Sequence, residues 1–146
     1  MPVTVPVKLL FDTAELPMHA TAGAGPVDLK ACTAKSIRIA AGETEKIPTG
    51  LAVALPDGYG MFIASRSGLA ITHDIVVLNA PGLIDSDYRG EICVVLKNAG
   101  SRVFYVHPGA RIAQAFVLPL PQIEWSVVTD LPATARGQGA FGHTGT

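Results

Sequence analysis

Glu91-Ile92-Cys93-Val94-Val95-Leu96-Lys97, then Asn98-Ala99-Gly100, Val103-Phe104-Tyr105-Val106-His107, Pro108-Gly109 and Ile112-Ala113-Gln114-Ala115-Phe116-Val117-Leu118 together decide the fold class. Three short runs rich in β-branched and aromatic residues are separated by turn formers, the pattern of strands rather than helices. Working outward, the same reading gives strands at Val27–Cys32, Ser36–Ala40, Leu51–Leu55, Met61–Ala64, Ile75–Leu78 and Ile123–Thr129, with turns at Ala41-Gly42 and Pro56-Asp57-Gly58. Val3, Val5, Val7 and Leu9 alternate, and Pro2 and Pro6 suit an edge strand there. Gly (15) and Pro (11) make 26 of 146 residues, too many breakers for long helices; the one helix candidate is Ser67–Ile71. Many short strands at this spacing predict an all-β sandwich or barrel. Past Asp130 little remains to bury, so residues 1–130 read as the β domain and 131–146 as a mobile arm.

Composition narrows the function classes. Hydrophobic residues are 49% and charged residues only 16%, against about 25% in typical soluble domains, which predicts a surface partly covered by other subunits. A net charge of −1 argues against a nucleic-acid-binding face. No apolar run approaches the roughly 20 residues that span a bilayer, so no membrane association is expected. Met1 to Lys8 lacks a basic region followed by an apolar block; the reading is no signal peptide and a cytoplasmic protein. Cys32 and Cys93 read as buried free thiols, and His19, His73, His107 and His143 show no metal-ligand spacing.

Four segments carry polar chemistry. Asn79 to Glu91 places three carboxylates and Tyr88 between apolar runs; it is either an ordinary hairpin bend or a pocket for a ring-bearing ligand in which Asp85 deprotonates water. Ser65-Arg66-Ser67-Gly68 opens the helix candidate, as a plain Ser cap or as a phosphate site with an Arg donor. Simple alternation puts Gln114 on the face of Ile112, which suits a satisfied core amide or a ligand contact equally. The tail, Arg136 to Gly145, sets one cation and Phe141 among glycines, as a disordered end or as a lid in which Arg136 meets phosphate and Phe141 stacks on a ring. Taken together, phosphate donors, a carboxylate, an aromatic shelf and a lid fit a nucleoside polyphosphate.

These residues also form an ordered set of motifs. Arg-Ser-Gly-Leu-Ala at 66–70, Gly-Leu-Ile-Asp-Ser-Asp-Tyr-Arg-Gly at 82–90 and Arg-Gly-Gln-Gly-Ala-Phe-Gly-His-Thr-Gly at 136–145 resemble the signatures of the trimeric dUTP pyrophosphatases, or dUTPases. Val27-Asp28-Leu29-Lys30-Ala31 and Gly109-Ala110-Arg111-Ile112-Ala113-Gln114 are similar to two further motifs of that family.

The resemblance implies a jelly-roll-like β fold, a homotrimer with three interface sites, and Mg²⁺-assisted hydrolysis of dUTP to dUMP and pyrophosphate. By the same resemblance Asp85 orients the attacking water, and Asn79 with the hairpin backbone, including Gly82 and Ile84, reads the uracil edge. Tyr88 packs under the deoxyribose and leaves no room for a 2′-hydroxyl. Ser67, Gly68 and Gln114 hold the phosphates, Arg66 supports the phosphate side of the site, and Asp28 meets Mg²⁺ through a water. Arg136, Phe141 and Gly142 arrive from a neighbour's tail to clamp the γ-phosphate and cover the base. Mg²⁺ keeps several waters and leans on substrate phosphates, so no dedicated cage is expected. Three departures from the family pattern carry expectations of their own: Pro26 leaves the register of Asp28 open, Ser65 replaces a common proline and should loosen its turn, and Ala140 replaces a glycine in the tail. The alternatives are a dCTP deaminase-type relative and a regulatory protein-binding member of the fold.

Overall fold

The computed structural model describes residues 2–141. Twelve strands and one helix follow one another: β1 Val7–Leu9, β2 Met18–His19, β3 Val27–Lys30, β4 Ile37–Ile39, β5 Thr44–Pro48, β6 Leu51–Val53, β7 Tyr59–Ala64, α1 Ser67–His73, β8 Ile75–Val77, β9 Gly82–Ile84, β10 Cys93–Asn98, β11 Phe104–Val106 and β12 Arg111–Pro119. All pairings are antiparallel. The largest sheet runs β2-β3-β12-β7-β9; β5-β10-β8, β1-β6 and β11-β4 complete the fold. Gly58 and Gly109 take positive φ at the tips of the Pro56-Asp57-Gly58 and Pro108-Gly109 turns, where a side chain would be strained.

One apolar core joins these sheets. On β10, Val94 and Leu96 are buried while Cys93, Val95 and Lys97 are half-buried on the opposite face, the period of two that a strand imposes. Ile39, Ile47, Val106, Ala113 and Ala115 fill the same core from other strands. Asn98, placed in a turn by the sequence reading, is instead the fully buried last residue of β10. Its Nδ2 donates to the carbonyls of Ile39 (3.0 Å) and Arg102 (2.8 Å), and its Oδ1 accepts from Gly100 N–H (3.0 Å). A fully satisfied amide closes the turn from inside, which is why a polar residue is tolerated there. Cys32 and Cys93 are free but only half-buried.

Two strand expectations fail for the same reason, the availability of a partner. Thr44–Pro48, unremarkable in sequence because only Ile47 points inward, is a strand because β10 offers it a full ladder. Ile123–Thr129, strand-like in sequence, forms no strand: β12 is flanked on both sides by β3 and β7, and the chain leaves the sheet at Leu120. Ile123, Trp125 and Val127 are left 71%, 85% and 99% exposed.

Candidate functional site

The phosphate side of the expected site is built on the largest sheet. Asp28 on β3, Gln114 on β12 and Ala64 on β7 face one another across one register row. Pro26 ends just before β3, so it costs no ladder bond and leaves Asp28 in that row. Beyond Ala64 the chain turns into α1, whose cap position is Arg66, in extended conformation with no side-chain cap; Ser67 is the first helical residue, not the cap, and is exposed with Gly68. Arg66 Nε donates to Asp28 Oδ1 at 2.9 Å, and Arg111 reaches Asp28 Oδ2 at 3.4 Å. Arg66 also donates to the Arg111 carbonyl at 3.2 Å. One carboxylate is thus shared by two guanidinium groups, leaving a net positive cluster beside a cavity of about 500 Å³ lined by Asp28, Lys30, Arg111 and His19.

A bulge places Gln114 differently from simple alternation. The β12–β3 register shifts between Arg111 and Ala113, so Ile112 and Ala113 are both buried and Gln114 lies opposite the core-facing Ala113 and Ala115. Gln114 Nε2 donates to the Ser65 carbonyl at 2.9 Å. The Ser65 hydroxyl accepts Val77 N–H at 2.8 Å, so the turn expected to loosen without proline is tied to β8.

Asn79 to Glu91 is more than a hairpin bend. Its flanking strands β8 and β10 do pair, but between them β9 crosses to the edge of the large sheet and pairs with β7, Gly82 opposite Ile63. Asn79, Gly82 and Ile84 line a small cleft with Ile63, Val77 and Cys93. Burial is the main cause that pushes the Cys93 thiol up, with Glu91 adding to it. Asp85 is exposed beyond β9. Tyr88 donates its hydroxyl to the Glu91 carbonyl at 3.0 Å, and its ring lies over Gly90, where an added Cβ would sit 2.6 Å from Cζ.

The structure therefore brings Asp28, Arg66 and Gln114 together, and Asn79, Gly82 and Ile84 together. Among the described residues no hydrogen bond or ion pair joins the two groups; they share the sheet, with β7 between them. Arg136 and Phe141 lie apart from both, Arg136 bonded to the Gly139 carbonyl at 2.9 Å and Phe141 wholly exposed. In this tail positive φ falls at Gly137, not at Ala140. Gly142 and His143 lie outside the described residues.

Comparison with known proteins matches the chain to one family. The dUTPase family model covers residues 12–145. The chain belongs to the dUTPase family. It is 49% identical to the deoxyuridine 5′-triphosphate nucleotidohydrolase of Desulfotalea psychrophila, over 92% of this chain and 89% of the relative. It is 47% identical to that of Chlamydia caviae, over 90% and 92%. Its β-rich, jelly-roll-type fold is shared with a point mutant of the Staphylococcus bacteriophage 80alpha dUTPase solved with dUpNHpp (TM-score 0.89, 24% identity, 98% and 99% covered). It is also shared with a point mutant of the dUTPase from phage phi11 of S. aureus, whose structure describes the coordination of a structural Mg(II) ion (TM-score 0.81, 22% identity, 89% and 99% covered).

Among the described residues no three His, Cys, Asp or Glu side chains converge. Asp28 gives each oxygen to one arginine, and a carboxylate has about four acceptor positions, so it retains capacity for a metal-bound water. The sequence reading missed Gly90, which makes room for the Tyr88 ring, and the Arg111 guanidinium. A glycine two residues after the aromatic was the only signal for the first.

Proposed function

We propose how this dUTPase-family chain carries out its reaction, the hydrolysis of dUTP to dUMP and pyrophosphate. The observation that carries the proposal is the register row in which Asp28 and Gln114 meet the β7 end, with Arg66 held on Asp28, on the sheet whose edge strand β9 lines the base cleft. Arg66, Ser67, Gly68 and Gln114 bind the phosphate oxygens. Asn79, Gly82 and Ile84 read the uracil edge, where a cytosine would leave donors and acceptors unpaired. Tyr88 packs under the deoxyribose. Asp85 takes a proton from water as its oxygen bonds the α-phosphorus; the bond to the bridging oxygen breaks and pyrophosphate leaves. Mg²⁺ would be held by the substrate phosphates and, through water, by Asp28, and would supply charge neutralisation.

The working unit in this proposal is a homotrimer with the sites at its interfaces. The apolar side chains of Ile123, Trp125 and Val127, alternating with Glu124 and Ser126 and all exposed, support it, since a strand pattern without a partner in its own protomer has one to gain from a neighbour. The segment from 131 onward acts as an arm that brings Arg136, Phe141 and Gly142 to a neighbouring site. Among the described residues no helix is long and apolar enough to cross a membrane; the proposed compartment is the cytoplasm.

The test is pyrophosphate release from dUTP, dCTP, dTTP and UTP, with Mg²⁺ or EDTA, for the native protein and Asp85→Asn. Turnover confined to dUTP, lost in EDTA and lowered in kcat by about 10²–10⁴ in the variant, is expected. A variant that turns over at the native rate removes Asp85 from the mechanism. Turnover of dCTP with release of ammonia would restore the deaminase alternative.

A further inference from the structure

Arg111 has no role in the mechanism above, yet it touches both partners of the phosphate cluster. Its guanidinium approaches Asp28 Oδ2 at 3.4 Å, while its backbone carbonyl accepts from Arg66 at 3.2 Å. The Ala110 carbonyl accepts from Ala31 N–H on the β3 side; by strand alternation the Arg111 carbonyl faces the β7 side, where Arg66 follows the end of that strand. Arg66 is thereby fixed from two sides, by Asp28 at 2.9 Å and by this carbonyl. Its side chain is 25% exposed and that of Asp28 15%, so the pair is partly shielded, whereas Arg111 is 53% exposed and closes it from the solvent side.

The charges favour the same role. Asp28 and Arg66 alone would neutralise each other and offer little to a polyanion. A second guanidinium on the same carboxylate restores one positive charge and competes for Asp28. It leaves Arg66 nitrogens other than Nε free of that carboxylate. We propose that Arg111 is a positioning residue for dUTP hydrolysis: it braces the Arg66–Asp28 pair so that the Arg66 fork faces the phosphates, and it acts through Arg66 rather than on the substrate. This rests on the functional reading above, in which Arg66 is a phosphate donor.

A double-mutant cycle decides it. Native protein, Arg66→Ala, Arg111→Ala and the double variant are compared for dUTP turnover, and separately for binding of inorganic pyrophosphate with Mg²⁺ by calorimetry. Arg111→Ala alone is expected to lower kcat by about tenfold or more, in line with the cost of a small misplacement of a substrate-positioning group. In the Arg66→Ala background the same change should cost less than about twofold, because coupled residues are non-additive. Pyrophosphate affinity should show the same non-additivity. Arg111→Lys, which keeps the charge but not the fork, should recover part of the kcat and most of the affinity.

Multiplicative losses would show Arg111 contacting substrate by itself and overturn the proposal. So would an Arg111→Ala variant with native kcat, or losses accompanied by a lowered melting temperature that Arg111→Lys fully reverses. If the native protein failed to turn over dUTP at all, the functional reading would fall. The pyrophosphate cycle would still judge the bracing of Arg66 independently.

Discussion

Gly90→Ala should leave the protein as stable as before and damage its discrimination between deoxyribose and ribose. A Cβ at position 90 would lie 2.6 Å from Tyr88 Cζ and 3.0 Å from Cε2. Carbon atoms pack at about 3.5–4.0 Å, so the ring must withdraw by roughly 1 Å. Tyr88 is 42% exposed and can swing outward, which breaks its 3.0 Å bond to the Glu91 carbonyl. Loss of that bond costs about 0.5–1.5 kcal/mol, at the low end for an exposed group. Replacing a glycine outside the positive-φ region returns about 0.4–1 kcal/mol through the unfolded chain, so the two nearly cancel. Function has no such offset, because a 1 Å misplacement of a positioning group can cost about 10²-fold in rate. The assay is kcat/KM for dUTP and for UTP, with the melting temperature alongside. The expected result is an unchanged melting temperature, a fall of about tenfold or more with dUTP, and a smaller fall with UTP. Equal falls on the two nucleotides would refute the reasoning, since Tyr88 would then not be what excludes a 2′-hydroxyl.

Other consequences follow from burial and charge. Asn98→Ala removes the side-chain partner of the buried Ile39 carbonyl and of the part-buried Arg102 carbonyl and Gly100 N–H. Each orphaned group costs about 1–3 kcal/mol, so urea unfolding should show a loss of at least about 2 kcal/mol. Because burial raises the Cys93 thiol, the folded state favours its protonated form. The contribution is therefore intact below the ordinary thiol range and lost as pH rises through the raised value; Cys93→Ser should flatten the alkaline fall in stability measured by denaturant titration. Trp125, the single tryptophan, is 85% exposed in the protomer. Assembly through the 123–131 segment should shift its fluorescence to the blue at concentrations where sedimentation reports a trimer. A red-shifted emission from a sedimenting trimer would place the interface elsewhere.

Much of the fold was legible in the chain because strands carry a period of two and turns carry Gly and Pro. β10 shows this plainly, with Val94 and Leu96 inward and Cys93 and Lys97 outward. The motif residues were legible one by one, since their chemical types are scarce between apolar runs. Pairing was not legible, because it depends on which strand is free to accept another. Thr44–Pro48 became a strand through β10, and Ile123–Thr129, the better strand by composition, found no partner within its own protomer. Nor could alternation foresee the bulge at Ile112, where one extra residue turned Gln114 away from the core. The chain alone carried the β class, most turn positions and the residue types of the candidate site. Only the tertiary structure decided that one carboxylate, Asp28, is shared by two arginines that stand 45 residues apart in the chain. Long-range electrostatics of that kind depends on distances that no local pattern encodes.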